Sequence, residues 1–234
     1  MKKTLIALAV AILVTVIGAV FWLRGNLDGL VKNAIQDYGT AMTQATVSVG
    51  AVQIQPTDGR GVIRNLVIGN PKGYKTPHAL KVGEIEVAID IASVAKDVVV
   101  IRKIAIVAPD VIYEKGEVMT NFDAIQKHIA EYLGPGEKKE GGKKLIVEEL
   151  TIRNAKAQAS AAFMDGKTVT VALPDITLRD VGKAKGGVTP AELGNEIAKA
   201  IKGKLSAAVS FDALAKSAGK ALDKAGSAIK GLFK

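Results

Sequence analysis

The sequence contains no cysteine, which suits a bacterial exported protein that uses no disulfides and equally suits a cytoplasmic one. Aromatic residues are also scarce, at 4% of the chain. Because so few aromatic side chains accompany the basic ones, the net charge of +9 does not indicate a surface for nucleic acid. Attraction to anionic lipid headgroups accounts for the excess of lysine as well.

Motifs for catalysis and for metal binding are missing too. His78 and His128 lie fifty positions apart without a partner motif, and no serine lies in a Gly-x-Ser-x-Gly turn. The segment Gly59–Gly61 lacks the third glycine of a dinucleotide fingerprint. Glu84 and Glu86 alternate with apolar residues, which is typical of a solvated strand face. We therefore expect a protein that is not an enzyme, with no catalytic residues, no metal and no cofactor.

One long apolar run is present, from Thr4 to Leu23, and it contains no charged residue. At about 1.5 Å per residue its helix would span roughly 30 Å, the thickness of a bilayer core. A cleaved signal peptide is the alternative, but its apolar region is shorter and ends at small residues, whereas this run ends in Phe-Trp-Leu-Arg. The run predicts a membrane anchor, whose principal side chains are Leu5, Ile6, Leu8, Ile12, Leu13, Ile17, Phe21 and Trp22.

Charges beside the run predict its orientation. Lys2 and Lys3 precede it and only Arg24 follows closely, so the positive-inside rule keeps the N-terminus cytoplasmic and exports the rest of the chain. We divide the chain into an anchor (1–24), a main domain (25–183) and a basic helical tail (184–234).

Strand periodicity dominates the main domain. The clearest strand is Gly83–Ile91, where Ile85, Val87, Ile89 and Ile91 alternate with smaller or charged residues. A helix is expected over Asn26–Met42, and then strands with a bulge at Gly50 and Ala51. A loose repeat starts at positions 62, 99, 145 and 171. Each copy has an apolar patch, then two polar residues, then a hydrophobic-x-hydrophobic unit. This pattern suits strands that kink and continue.

A hairpin is expected over 157–173, with Asp165 and Gly166 as a two-residue turn. Helices should begin at Asn121 and at Thr189, where Thr-Pro-Ala-Glu forms a capping signal. The glycine- and lysine-rich segment 134–144 predicts a flexible loop.

The end of the chain predicts a further basic amphipathic helix. Its apolar side includes Phe211, Leu214, Leu222 and Ile229. Such a helix can lie on an anionic membrane surface or cover a sheet, and its many alanines favour packing on the protein.

The order of these features resembles the N-terminal region of the AsmA family of bacterial envelope proteins. The resemblance covers about residues 1–135 and includes the segments ATVSVGAVQIQP, GVIRNLVIGNPKGY and TNFDAIQKHI. The turn residues that match the family pattern are Asn65, Asn70, Pro71, Gly73 and Asn121.

The resemblance implies an inner-membrane protein whose periplasmic sheet curls into an apolar groove that shields lipid chains. The expected fold is α+β: one transmembrane helix, a juxtamembrane helix, a mainly antiparallel curved sheet and C-terminal amphipathic helices. The candidate lipid-facing residues are Ile85, Val87, Ile89, Ile91, Ile104 and Ile106. Lipid transport and outer-membrane homeostasis are the expected function, with membrane lipids as partners. Two alternatives remain open: helices of the same chain cover this face, or the protein is a tethered scaffold that binds another envelope protein.

Overall fold

The computed structural model describes residues 27–134 and 143–216. The predicted anchor, the central part of the predicted loop at 134–144, and Leu222 and Ile229 of the predicted tail helix lie outside the described residues. The described part is α+β, with a mixed, mostly antiparallel sheet and few helices. Among the described residues, no helix is long and apolar enough to cross a bilayer.

Ten described strands form one sheet. They are β1 (Val47–Ser48), β2 (Ala51–Gln55), β3 (Arg60–Ile68), β4 (Leu80–Ile89), β5 (Val98–Val107), β6 (Asp110–Lys115), β7 (Lys144–Arg153), β8 (Lys156–Ala161), β9 (Val169–Val171) and β10 (Ile176–Val181). The helices are α1 (27–43), α2 (Asn121–Leu133) and α3 (Pro190–Ala208), with a further helical segment at 211–216.

The strand pairing extends from β3 through β4, β5 and β7 to β10. β5 pairs with β7, and β6 with β8, in parallel, because α2 carries the chain back across the sheet between β6 and β7. The strand is interrupted at Ala108 between β5 and β6 and at Asn154 between β7 and β8, and both residues lie in the left-handed region with φ of 49° and 54°. These two breaks lie side by side, joined by a hydrogen bond from Ala108 N–H to Arg153 O of 2.8 Å.

In three of the four copies of the loose repeat, the polar pair coincides with an irregularity in the strand pairing. On β3 the pairing passes from Arg64 to Leu66, and the skipped Asn65 has φ of 53°. On β5 and β7 the pairing likewise passes over Arg102 and Glu148. Each skipped residue lets the apolar positions on either side of it return to one face. In the fourth place the strand does not continue: β9 ends at Val171 and β10 begins at Ile176.

The predicted hairpin forms, since β8 and β9 pair through Ala157 with Val171 and Ala159 with Val169. Its connection is longer than the predicted two-residue turn. A short 3-10 turn at Ala162–Met164 precedes Asp165 and Gly166, both with positive φ. Phe163, expected on the strand, therefore lies in this turn with an exposed side chain.

Both predicted capping signals are present. Thr120 forms a capping box with Asp123 at the start of α2, and Thr189 forms one with Glu192 at the start of α3. In each box the threonine hydroxyl accepts from the third-residue N–H, and the acidic side chain accepts from the threonine N–H.

Helix α1 lies along the free edge of β1 and β2. Asp28, Gln36 and Thr40 accept hydrogen bonds from the N–H groups of Ile54, Val49 and Val47, at 2.9, 3.0 and 3.1 Å. Lys32 donates to Gly50 O at 2.9 Å. These four side chains recur at a spacing of four along α1 and so form one stripe of the helix. The polar stripe satisfies backbone groups that an edge strand otherwise leaves unpaired.

Candidate functional site

The register aligns apolar residues in rows across one face of the sheet. One row runs from Val52 through Ile63, Ile85, Ile106 and Ile152 to Ile176. The next contains Ile54, Val87, Ile104, Leu150 and Leu178. Directly paired residues share a face, so the predicted one-sided character of β4 extends over at least five neighbouring strands.

The six predicted lipid-facing residues do not share one environment. Ile85 and Ile106 are buried, at 7% and 6% exposure, whereas Val87, Ile89 and Ile104 are half-buried. Ile91 is not on the strand: β4 ends at Ile89, and Asp90 caps a 3-10 turn that leaves Ile91 47% exposed. The alternation of the sequence continues through Ile91, but the turn into β5 ends the strand first.

Helices α2 and α3 cover much of the apolar face. Phe122, Ile125 and Ile129 of α2 join the same hydrophobic cluster as the sheet residues. From α3 the cluster receives Ala191, Leu193, Ala198, Ile201 and Leu205. Beneath them Val147 and Leu150 of β7 have no exposed surface.

An ion pair between Asp123 and Lys202 ties α2 to α3. Burial raises the pKa of Asp123, but hydrogen bonds from Lys202 and Thr120 outweigh burial and leave this pKa below its ordinary value. Beyond α3, Phe211 packs on Tyr113 with ring centroids 5.4 Å apart, and Leu214 is half-buried. The described part of the tail thus contacts the domain core.

Part of the face is less completely covered. We call Ile54, Ile63, Val87, Ile89 and Ile104 the half-covered patch, since all five are half-buried and lie on β2 to β5. From β2 to β5 the patch crosses three strand spacings, about 14 Å. Sequence reasoning missed Ile54 and Ile63 as members of this face, although the alternation of Ile54 with Gln53 and Gln55 could have revealed Ile54.

Four of the five residues of the family pattern lie in or beside a polar cluster at the end of the sheet where β3 ends and α2 begins. Asn121 donates from its side-chain amide to Asn70 Oδ1 at 2.9 Å and to Ile112 O at 2.8 Å. Asn70 donates to Thr76 O at 2.8 Å. Pro71 is buried beside Asn70, and Gly73 has φ of 98° in the turn that follows. Asn65 is separate from this cluster, on β3.

Glu114 completes the polar cluster. Its side chain is 1% exposed, and it accepts hydrogen bonds from the N–H groups of Lys75 and Thr76, both at 2.8 Å, and from the Thr76 hydroxyl at 2.6 Å. All three donors belong to the loop 70–76, so the Glu114 carboxylate holds this loop in place. Sequence reasoning missed Glu114, which appears only as one charge after an apolar run.

Tyr74 lies beside this cluster, where its hydroxyl donates to Met119 O at 3.2 Å. Burial, together with the negative charges of Asp123 and Glu114, raises the pKa of Tyr74 to about 12. The phenol therefore stays protonated at neutral pH. A shallow cleft of about 310 Å³ opens here, lined by residues 72–74 and 116–119.

The two histidines lie apart. His78 Nε2 is 3.5 Å from Asp110 Oδ2, and His128 Nδ1 is 3.0 Å from Thr43 O. Over 27–134 and 143–216, no three His, Asp or Glu side chains stand close enough together to hold a metal ion.

Comparison with protein-family models, with curated proteins and with solved structures found no match to this chain.

Proposed function

We propose that this chain is a membrane-anchored, non-catalytic protein of the bacterial envelope that binds lipid acyl chains on the half-covered patch. The observation that carries the proposal is the patch itself: apolar side chains on a face that α2 and α3 cover elsewhere. Each methylene that leaves water for such a surface contributes about 0.8 kcal/mol. A chain of several methylenes can therefore bind without any polar contact.

Two features of the sequence and one of the fold support this role. The apolar run Thr4–Leu23 is long enough to anchor the chain in the inner membrane with its body in the periplasm. The resemblance of residues 1–135 to the AsmA family favours a lipid-shielding sheet in envelope lipid transport and outer-membrane homeostasis. The breaks at Ala108 and Asn154 favour the curvature that a groove requires.

The test places a photoreactive amino acid at Val87 or Ile104 in the full chain in intact cells. We expect lipid adducts at both positions, detected by mass spectrometry of the purified protein. Glu86 is the matched control, because it is exposed on the other face of the same strand. Absence of lipid adducts from both Val87 and Ile104 in folded protein would overturn the proposal.

A tethered scaffold is the second candidate. The β9–β10 edge has no neighbouring strand among the described residues, whereas α1 covers the β1–β2 edge. An uncovered edge can pair with a strand of another envelope protein. Photoreactive labels at Thr170 and Thr177 distinguish the candidates: one dominant protein adduct there, with no lipid adduct at Val87, favours the scaffold.

A further inference from the structure

One end of the sheet is built from turns that contact each other in series. The β2–β3 turn meets the start of the β4–β5 connection, where Ile89 N–H donates to Gly59 O at 2.7 Å. That connection meets the start of β7, where Lys144 N–H donates to Asp97 O at 2.9 Å. β7 meets the turn before α3, where Leu145 N–H donates to Val188 O at 2.7 Å. We call the segments 56–60, 90–97, 143–144 and 182–187 the basic end.

Two large apolar side chains project from the basic end. Ile91 and Val94 are 47% and 48% exposed. Their turn is well ordered by hydrogen bonds: Ser93 is buried, donates to Asp90 O at 2.6 Å and accepts from Val100 N–H at 2.8 Å. The turn thus presents both apolar side chains to the surroundings in a fixed arrangement.

Basic residues outnumber acidic ones at this end. Lys143 donates to the carbonyls of Val94 and Lys96, at 2.8 and 2.7 Å, and so lies against the turn itself. The basic residues of this end are Arg60, Lys96, Lys143, Lys144, Lys183 and Lys185. Its acidic residues are Asp58, Asp90 and Asp97. Asp90 is paired with Arg102 at 3.2 Å and Lys183 with Asp180 at 2.9 Å, so the excess of positive charge remains.

The chain enters the described structure at the same end. Asp28, near the start of α1, accepts from Ile54 N–H at the end of β2, next to the β2–β3 turn. Only residues 24–26 separate the apolar run Thr4–Leu23 from Leu27. Three residues span at most about 10 Å. This is roughly one Debye length at 0.1 M salt, so a membrane that holds the run is within reach of the charges at the basic end.

We propose that the basic end docks on the anionic surface of the membrane that holds the anchor, with Ile91 and Val94 among the lipid headgroups and the lysines on phosphates. This inference rests on the proposed anchor. An apolar tip framed by lysine matches the chemistry of such a surface. Docking places Ile54, Val87 and Ile89 of the half-covered patch next to the bilayer. An acyl chain can then move directly from the bilayer to the patch.

The test uses the absence of native cysteine. The full chain, carrying Ile91→Cys or Val94→Cys labelled with an environment-sensitive dye, is reconstituted in vesicles of phosphatidylcholine and phosphatidylglycerol with spin-labelled lipid. We expect the dye to lose fluorescence through quenching at both positions. Val118→Cys is the control, because Val118 is 80% exposed and follows β6 at the opposite end of the sheet.

Charge is tested in the same vesicles. Lys96→Glu combined with Lys185→Glu, or a change to vesicles of phosphatidylcholine alone, should reduce the quenching at Val94→Cys. Glu117→Lys at the opposite end should leave it unchanged. Flotation of the vesicles separates the two proposals. If the chain floats but quenching is equal at all three labelled positions, docking is overturned and the anchor is not. If the chain does not float, the anchor is overturned as well.

Discussion

At the scale of single residues, Glu114 shows how a charge is accommodated in the interior. A buried carboxylate costs several kcal/mol unless hydrogen bonds replace its water. Here two backbone N–H groups and the Thr76 hydroxyl do so. Asn121 adds a second link, since it accepts from Glu114 N–H at 3.1 Å and donates to Asn70. Glu114 and Asn121, which lie 38 and 51 positions after their partners Thr76 and Asn70, thus fix the loop 70–76.

Glu114→Gln should destabilise the protein by about 1–3 kcal/mol, because an amide has only one oxygen to accept from three donors. Chemical denaturation of the full chain in detergent measures the loss, and hydrogen exchange should show a less protected Thr76 N–H. Glu117→Gln is the control, since Glu117 is exposed in the adjacent turn. Equal stability of the two variants would contradict the structural role of Glu114.

At the scale of elements, α1 protects a sheet edge by means of polar side chains. The stripe of Asp28, Lys32, Gln36 and Thr40 faces β1 and β2, where an apolar helix would leave N–H groups unsatisfied. The edge is therefore closed to other strands.

Gln36→Ala should open this edge locally, with a cost of about 1 kcal/mol for the lost hydrogen bond. We expect faster hydrogen exchange at Val49 N–H, together with more self-association in sedimentation velocity. Asp37→Ala changes the exposed neighbour and should alter neither quantity. Unchanged exchange at Val49 in Gln36→Ala would show that α1 does not protect the edge through this bond.

At the scale of the whole molecule, one hydrophobic cluster unites the sheet with α2 and α3. The domain division expected from composition separates residues from 184 onward as a tail, yet Ile201 and Leu205 are among the most deeply buried side chains. Because α3 covers β7, the half-covered patch is the part of the apolar face left for the lipid binding that we propose.

Leu205→Ala should lower the free energy of unfolding by about 2–5 kcal/mol, because its side chain is fully buried. If α3 belongs to the cooperative unit, sheet and helix signals should shift together in thermal unfolding. Ser206→Ala, at an exposed position of the same helix, should have little effect. Separate transitions for the sheet and α3 would show that the covering helix unfolds independently.

Local features were predictable because they depend on residues two to four positions apart. The alternation on β4 and the capping boxes at Thr120 and Thr189 follow from such spacings. The bulge predicted at Gly50 and Ala51 was wrong: the strand is interrupted between Ser48 and Ala51, but β1 and β2 pair with β3 in one continuous register. The end of β4 was misjudged, because the apolar residue Ile91 continues the period into a turn.

The site was predictable only in part. Periodicity identified the apolar face, since the spacing of Ile85, Val87 and Ile89 alone determines that they share it. It could not distinguish buried Ile85 from half-buried Val87, because the difference depends on where α2 and α3 lie. The sequence by itself determined which side of each strand is apolar. Only the tertiary structure decided which strands pair, how much of that face the helices cover, and that Glu114 meets Thr76, because contacts between residues tens of positions apart leave no local pattern in the chain.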